Sequence, residues 1–325
     1  MRRTNFRAEA RRTHDIFHTI DSTSAHADSP INHYAKWYTW SGPFRELLHA
    51  LSPALRALSS PRLSRVRGLT LYNQTYSWPP QRLERPLRER FGSFVDAFAA
   101  IRPGRKLMLF DRLIGPHLDS QALHALLALL RGALVMRAGD PRAAMYTPLG
   151  EVGEVAGGFP LHADLYIPPF LFNVFDNVAT QEGGVSTFLP VVTLRKLIPS
   201  IWSLPALQGR TILTLLDHAV QKDQFEVLYD LLHGHHRWVG ALERAMERRQ
   251  LSIRFAPGQG YLLHDRKWLH GRAATKGNVP IDRVRRLVFG GVPQAGRTTT
   301  GGARNCNPKP AVLPHSGNTG MKTPV

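Results

Sequence analysis

The sequence predicts an α+β fold: one antiparallel sandwich or jelly roll carrying helices on one side. Three observations carry this. Signals along the chain run helix-rich, then strand, then helix again, then strand. The strand signals of the second half are separated by Pro-Pro and Gly-Gly turns. Hydrophobic residues make up 43% and charged residues 20% of the 325, the balance of a folded chain.

Taken in order, residues 1 to about 40 lack sustained periodicity and read as a polar, poorly ordered arm. Arg2-Arg3 has no apolar run behind it, and Glu9 and Asp15 interrupt any transit-peptide pattern. A cytoplasmic protein is expected. Residues 41–294 read as a single domain. Phe44 to Ser59 is a helix interrupted at Pro53, and Gly68 to Tyr72 a short strand. Arg85 to Ile101 is an amphipathic helix that tolerates Pro86 only in its first turn. Lys106 to Phe110 is a strand. Asp119 or Ser120 caps a helix to about Arg131, and Ala133 to Arg137 follows as a strand. Leu161 to Tyr166, Leu171 to Phe175 and Val185 to Leu189 are strands. Thr193 to about Gln250 is helical, broken near Gly234. Leu251 to Ala256, Gly260 to His264 and Arg283 to Phe289 return to strand. The Gly-, Thr-, Asn- and Pro-rich residues 295–325 read as a disordered tail.

Composition excludes several classes. A single cysteine, Cys306, rules out an internal disulfide framework, a cysteine zinc site and a cysteine-held iron–sulfur cluster. No run approaches the roughly 18 uninterrupted apolar residues of a membrane span. Ala122 to Leu130 reads as a buried helix. The formal charge is +18, from 42 basic and 24 acidic residues. Yet the arginines are scattered, as at Arg82, Arg85, Arg88 and Arg90, which on a helix makes a solvated face. Nucleic acid is therefore not the expected partner, whereas an anionic small molecule or an acidic carrier protein suits the charge.

The chemistry concentrates at His162-Ala163-Asp164. On a strand, residues i and i+2 share a face, so this pair offers an imidazole and a carboxylate to one metal. With one further histidine it forms the two-His-one-carboxylate facial set of non-haem Fe(II) oxygenases, leaving three coordination positions for substrates. His26-Ala27-Asp28 lies in the arm, and in His117-Leu118-Asp119 the aspartate serves as a helix cap. His233-Gly234-His235-His236 reads as a solvated loop.

The surroundings of the third pair separate it from these two. IPPFLFNVFDNVATQEGGVSTFLP follows it, and GYLLHDRKWLHGRAATKGNVPIDRVRRLVFGG comes about a hundred residues later. Across 157–190 and 260–291 the sequence resembles the Fe(II)/2-oxoglutarate dioxygenases of the taurine dioxygenase and clavaminate synthase-like group. The resemblance implies a double-stranded β-helix (jelly-roll) core flanked by helices, with a helical insertion at about 193–250 before the strand of the distal iron ligand. It implies His162, Asp164 and His270 as Fe(II) ligands, 2-oxoglutarate and O₂ as cosubstrates, and hydroxylation of a small molecule.

In the family an arginine about 11 to 15 residues past the distal histidine clamps 2-oxoglutarate with its planar fork. Arg283, 13 residues past His270, fits best, with Arg285 and Arg286 as rivals. The family threonine falls on Ser186, with Thr187 the alternative. The family Asp-Asn falls on His264-Asp265, a departure. The insertion is expected to form a lid, with Trp238, Arg237 or the His233–His236 loop approaching substrate, and to be deletable without loss of Fe(II) binding. Two other readings stay open: a nucleic-acid-binding or demodifying protein, and a non-catalytic jelly-roll binding module.

Overall fold

The structure, a computed structural model, describes residues 16–20, 34–58, 65–66, 75–104, 106–149, 158–165, 168–177, 185–217, 224–273 and 283–290. The side chains of residues 65, 66, 75, 177 and 283 are outside that description.

The strands are β1 Phe17–Thr19, β2 Ala35–Trp40, β3 Arg65–Val66, β4 Thr75–Tyr76, β5 Leu107–Phe110, β6 Ala144–Leu149 and β7 Phe159–His162. They continue as β8 Phe170–Asn177, β9 Ser186–Pro190, β10 Leu251–Ile253, β11 Gly260–His264, β12 Trp268–Arg272 and β13 Arg283–Phe289. The helices are α1 Gly42–Leu58, α2 Arg85–Ala99, α3 Ser120–Ala138, α4 Val191–Leu197, α5 Ala206–Asp217, α6 Gln224–His233 and α7 Val239–Glu247.

Two sheets dominate. One has seven strands in the order β1-β2-β5-β11-β8-β13-β6, and the other four, β10-β9-β12-β7. Every pairing within them is antiparallel except β2 with β5. The period-2 alternation of strands assigns each face to a layer. Leu171, Phe175, Tyr261, Leu263 and Val288 of the larger sheet meet Phe188, Trp268, Leu251 and Ile253 of the smaller. The next residues along the larger sheet's strands, among them Phe172, Val174, Leu262 and Leu287, pack on α1, α2 and α3. Leu161, Leu189 and Leu269, on the other face of the smaller sheet, pack on the helices between β9 and β10. The chain is thus layered as helices, sheet, sheet, helices.

The helices follow their apolar stripes. Phe91, Phe94, Val95 and Phe98 recur at helical spacing and form the buried face of α2, whose proline stands in the first turn. Asp119 caps α3 by accepting from the Ala122 N–H at 2.8 Å. Among the described residues α3 is the one helix long and apolar enough to cross a membrane. It is packed into the core cluster with α1 and α2.

Two expectations differ. Ala133 to Arg137 continues α3 as helix, because no breaker intervenes before Gly139, which ends it at φ 65°. Phe17–Thr19 and Ala35–Trp40, inside the expected arm, are strands: Ile16, Phe17 and Trp40 are buried, and Phe17 stacks on Trp40 at 4.8 Å. Those strands are too short for periodicity and owe their state to pairing across the sheet. Gly68 to Tyr72 and residues 295–325 lie outside the described residues.

Candidate metal centre

His162 ends β7 and His270 lies mid-β12, and the two are register partners. Their rings are 4.5 Å apart. Asp164 follows in the turn after β7. His162 Nε2 is 3.4 Å from Asp164 Oδ1, and His270 Nε2 is 3.5 Å from Asp164 Oδ2. One ligand atom from each of the three lies within 4.8 Å of the others. The three side chains are at most 12% exposed.

The supports are specific. His162 Nδ1 donates to the Pro160 carbonyl at 2.8 Å, which fixes the tautomer and leaves the Nε2 lone pair facing Asp164. Asp265, in the turn between β11 and β12, accepts from the backbone N–H of Asp164 at 3.1 Å and of Leu165 at 2.6 Å. That grip holds Leu165 at φ 54°, a conformation that costs a non-glycine residue about 1–2 kcal/mol. Asp265 Oδ1 also lies 3.3 Å from His270 Nε2. Gly271 is required beside His270: a Cβ there would meet Phe159 O at 2.7 Å and Thr187 Oγ1 at 2.8 Å.

Charge follows the same geometry. Burial disfavours both charged forms in the pair. Arg286 and His270 nevertheless hold the Asp164 carboxyl well below its usual range. Burial likewise opposes a charged His270, and the Asp164 carboxylate outweighs it, lifting the imidazole to about 9. This is a pocket that favours positive charge between two imidazoles and a carboxylate. Nitrogen and oxygen donors in that number fit a divalent transition metal with coordination positions to spare.

Two of the three candidate arginines, Arg285 and Arg286, separate by face. Arg286 pairs in register with Asn173, which pairs with Tyr261. All three face the smaller sheet. Arg286 Nη1 donates to Asp164 Oδ2 at 3.2 Å and its Nε to Asn173 Oδ1 at 3.2 Å. Asn173 in turn donates to the Tyr261 hydroxyl at 2.5 Å. Arg285 faces the opposite way. It donates to Asp176 at 2.6 Å and lies 3.4 Å from His124 on α3. The expectation that Arg285 serves the site is therefore corrected, because adjacent strand residues point to opposite faces. Arg283 begins β13 opposite Asn177, and its side chain lies outside the described residues. The same parity divides the hydroxyls. Ser186 and Arg272 are register partners on the His270 face, and Thr187 is turned away toward Gly271.

The helical segment after β9 is also placed differently from expectation. Trp238 is buried within the helical layer, donating to Leu231 O at 3.2 Å. Arg237 and His235 are exposed. Of the histidine loop only His233 reaches the site's strand, 2.7 Å from Leu161 O, and Phe225 meets the His162 ring edge-on at 6.1 Å. The helices back the smaller sheet through a shared core. Sequence reading passed over Asp265, Asn173, Tyr261 and Phe225. Only Asp265 carried a signal, as the departure before His270.

No protein-family model matches the chain, and no curated protein sequence matches it. Similar solved structures include an asparagine oxygenase in complex with Fe(II), 2S,3S-3-hydroxyasparagine and succinate. It is 11% identical, over 78% of this chain and 92% of that one, with a TM-score of 0.40. PvcB from Pseudomonas aeruginosa is 12% identical over 84% and 90%, with a TM-score of 0.38. The non-haem iron oxygenase OrfP, with Fe, succinate and (3S)-hydroxy-L-Arg, is 12% identical over 78% and 94%, with a TM-score of 0.36. PvcB is an Fe, alpha-ketoglutarate dependent oxygenase of an isonitrile synthetic pathway.

Proposed function

We propose that this chain is an Fe(II)/2-oxoglutarate-dependent oxygenase, its two facing sheets a double-stranded β-helix, hydroxylating an unactivated C–H of a small molecule. The observation that carries this reading is the convergence of His162, Asp164 and His270 between the sheets. An amino acid or a natural-product intermediate is the substrate class we favour. The +18 charge suits delivery of that substrate on an acidic carrier protein. Cytoplasmic residence belongs to the same reading.

When bound, iron and 2-oxoglutarate supply the oxidising power and release succinate and CO₂. The chain's own residues position and shield. His162, Asp164 and His270 hold the metal, and the Pro160 carbonyl and Asp265 orient them. Arg286 presents a guanidinium beside Asp164, suited to the distal carboxylate of 2-oxoglutarate. Ser186, on the His270 face, can donate a hydrogen bond to a carboxylate. The inter-sheet core excludes water.

The test is anaerobic. Fe(II) and then 2-oxoglutarate added to metal-free protein should give a weak visible metal-to-ligand charge-transfer band. His162→Ala and His270→Ala should abolish it. Arg286→Gln should demand at least tenfold more 2-oxoglutarate, since a charged hydrogen bond contributes about 1.5–3 kcal/mol. No band in folded wild-type protein sinks the proposal.

A further inference from the structure

Aromatic side chains near His162 are incompletely buried. Phe159, on the same strand, packs on the His162 ring at 4.9 Å and stays 48% exposed. Phe225 approaches that ring from α6, and Tyr229 stands 5.8 Å from Phe225. Phe225, Tyr229 and His233 are spaced i, i+4, i+8, so they lie on one face of α6. His233 holds that face to β7 through Leu161 O, at the edge of the smaller sheet among the described residues. Phe225 and Tyr229 remain only half-buried. Two elements thus bring Phe159 and Phe225 to the His162 ring, with Tyr229 standing behind Phe225.

Open ring faces are matched best by another flat ring, stacked or edge-on. They also attract cations, but the neighbouring charge opposes that. Arg272 is the register partner of Phe159, and Arg286 stands at Asp164. The geometry points to a substrate that carries a flat, uncharged aromatic ring, seated against Phe159, Phe225 and Tyr229. This inference rests on the oxygenase reading and names the substrate class of that same site.

The test uses full-length protein loaded with Zn(II), a diamagnetic stand-in, and 2-oxoglutarate. Binding is followed by ligand-observed NMR, which needs no turnover. The probes are L-phenylalanine against L-cyclohexylalanine, 3-phenylpropanoate against 3-cyclohexylpropanoate, and L-arginine. Each cyclohexyl partner keeps the bulk and loses the flat π-face. The aryl member should bind more tightly in at least one pair, and L-arginine most weakly. Phe159→Leu, Phe225→Leu and Tyr229→Leu should each weaken aryl binding about twofold to tenfold. The visible spectrum of the Co(II)-loaded variants should match that of wild type. Equal binding of aryl and cyclohexyl probes overturns the inference. So does an aryl preference that all three variants leave unchanged, or variants that alter only the Co(II) spectrum, which would make the rings packing for His162. Aryl preference lost in the variants, in a protein whose Co(II) spectrum ignores 2-oxoglutarate, would leave the ring wall standing and overturn the oxygenase reading instead.

Discussion

Asp265 holds a turn whose two N–H groups lie a hundred positions earlier in the chain. It is 1% exposed, so truncation leaves those donors with nothing to bind. Asp265→Ala should cost about 2–4 kcal/mol, read as a lower urea midpoint, while Asp265→Asn should lose roughly half as much. An Ala variant of wild-type stability would show that the turn holds itself. A second residue reports on pH. Burial, aided by Lys267 and Arg266, pushes His264 down to about 4, and its Nδ1 accepts from the Arg266 N–H. Between pH 6.5 and 4 the unfolded chain takes up a proton that the folded chain refuses. This part of the stability is therefore full above about 6.5 and declines as pH falls toward 4. His264→Gln should flatten the drop in urea midpoint between pH 7 and 5, and an unchanged slope would refute the assignment. The convergence of His162, Asp164 and His270, the proposed metal ligands, was legible because i and i+2 on a strand share a face and the flanking blocks come in order. Which arginine pairs with Asp164 was not: residues 273–282 separate β12 from β13, and one residue of slippage there exchanges Arg285 for Arg286. Asp265 stood out in the sequence only as a departure before His270, and its role stayed opaque because what it binds is backbone, which has no signature in sequence.

At the scale of elements, α6 covers β7, the edge strand of the smaller sheet among the described residues. The outward carbonyl of Leu161 on edge strand β7 needs a donor, and His233 supplies it while its Nδ1 lies 2.9 Å from Glu243 on α7. This imidazole, carried by α6, therefore ties that helix to the strand that carries His162. His233→Ala should cost about 1–3 kcal/mol and raise amide hydrogen exchange in α6 and β7 well before α3. Uniform exchange along the chain would count against this tie. The helix signals of 193–250 were readable from period alone, but their role was not. Leu161, Leu189 and Leu269 become a helix-facing layer only once β12 is placed between β9 and β7. Strand β12 itself hid in five residues holding a glycine and two charged or titratable groups, Trp268–Arg272.

The smaller sheet links the whole molecule because successive residues of its strands serve different layers. Leu269 packs on the helices, Trp268 on the larger sheet, and His270 faces the site. Neither the helical layer nor the larger sheet can lose its contact with this sheet without exposing the other's support. Unfolding should then be one cooperative transition, with calorimetric and van't Hoff enthalpies equal. A ligand at the centre should stabilise all layers together. Co(II) at about a hundred times its Kd adds roughly 2.7 kcal/mol to the folded state. At about 2–4 °C per kcal/mol for domains approaching this size, Tm should rise by roughly 5–10 °C, with the single peak preserved. His270→Ala should abolish the rise. Two peaks, only one of them moved by Co(II), would mean that the helices between β9 and β10 melt independently of the metal centre. In that case Phe225 and His233 would be attached to a separable layer, and their contacts with β7 would not hold the site.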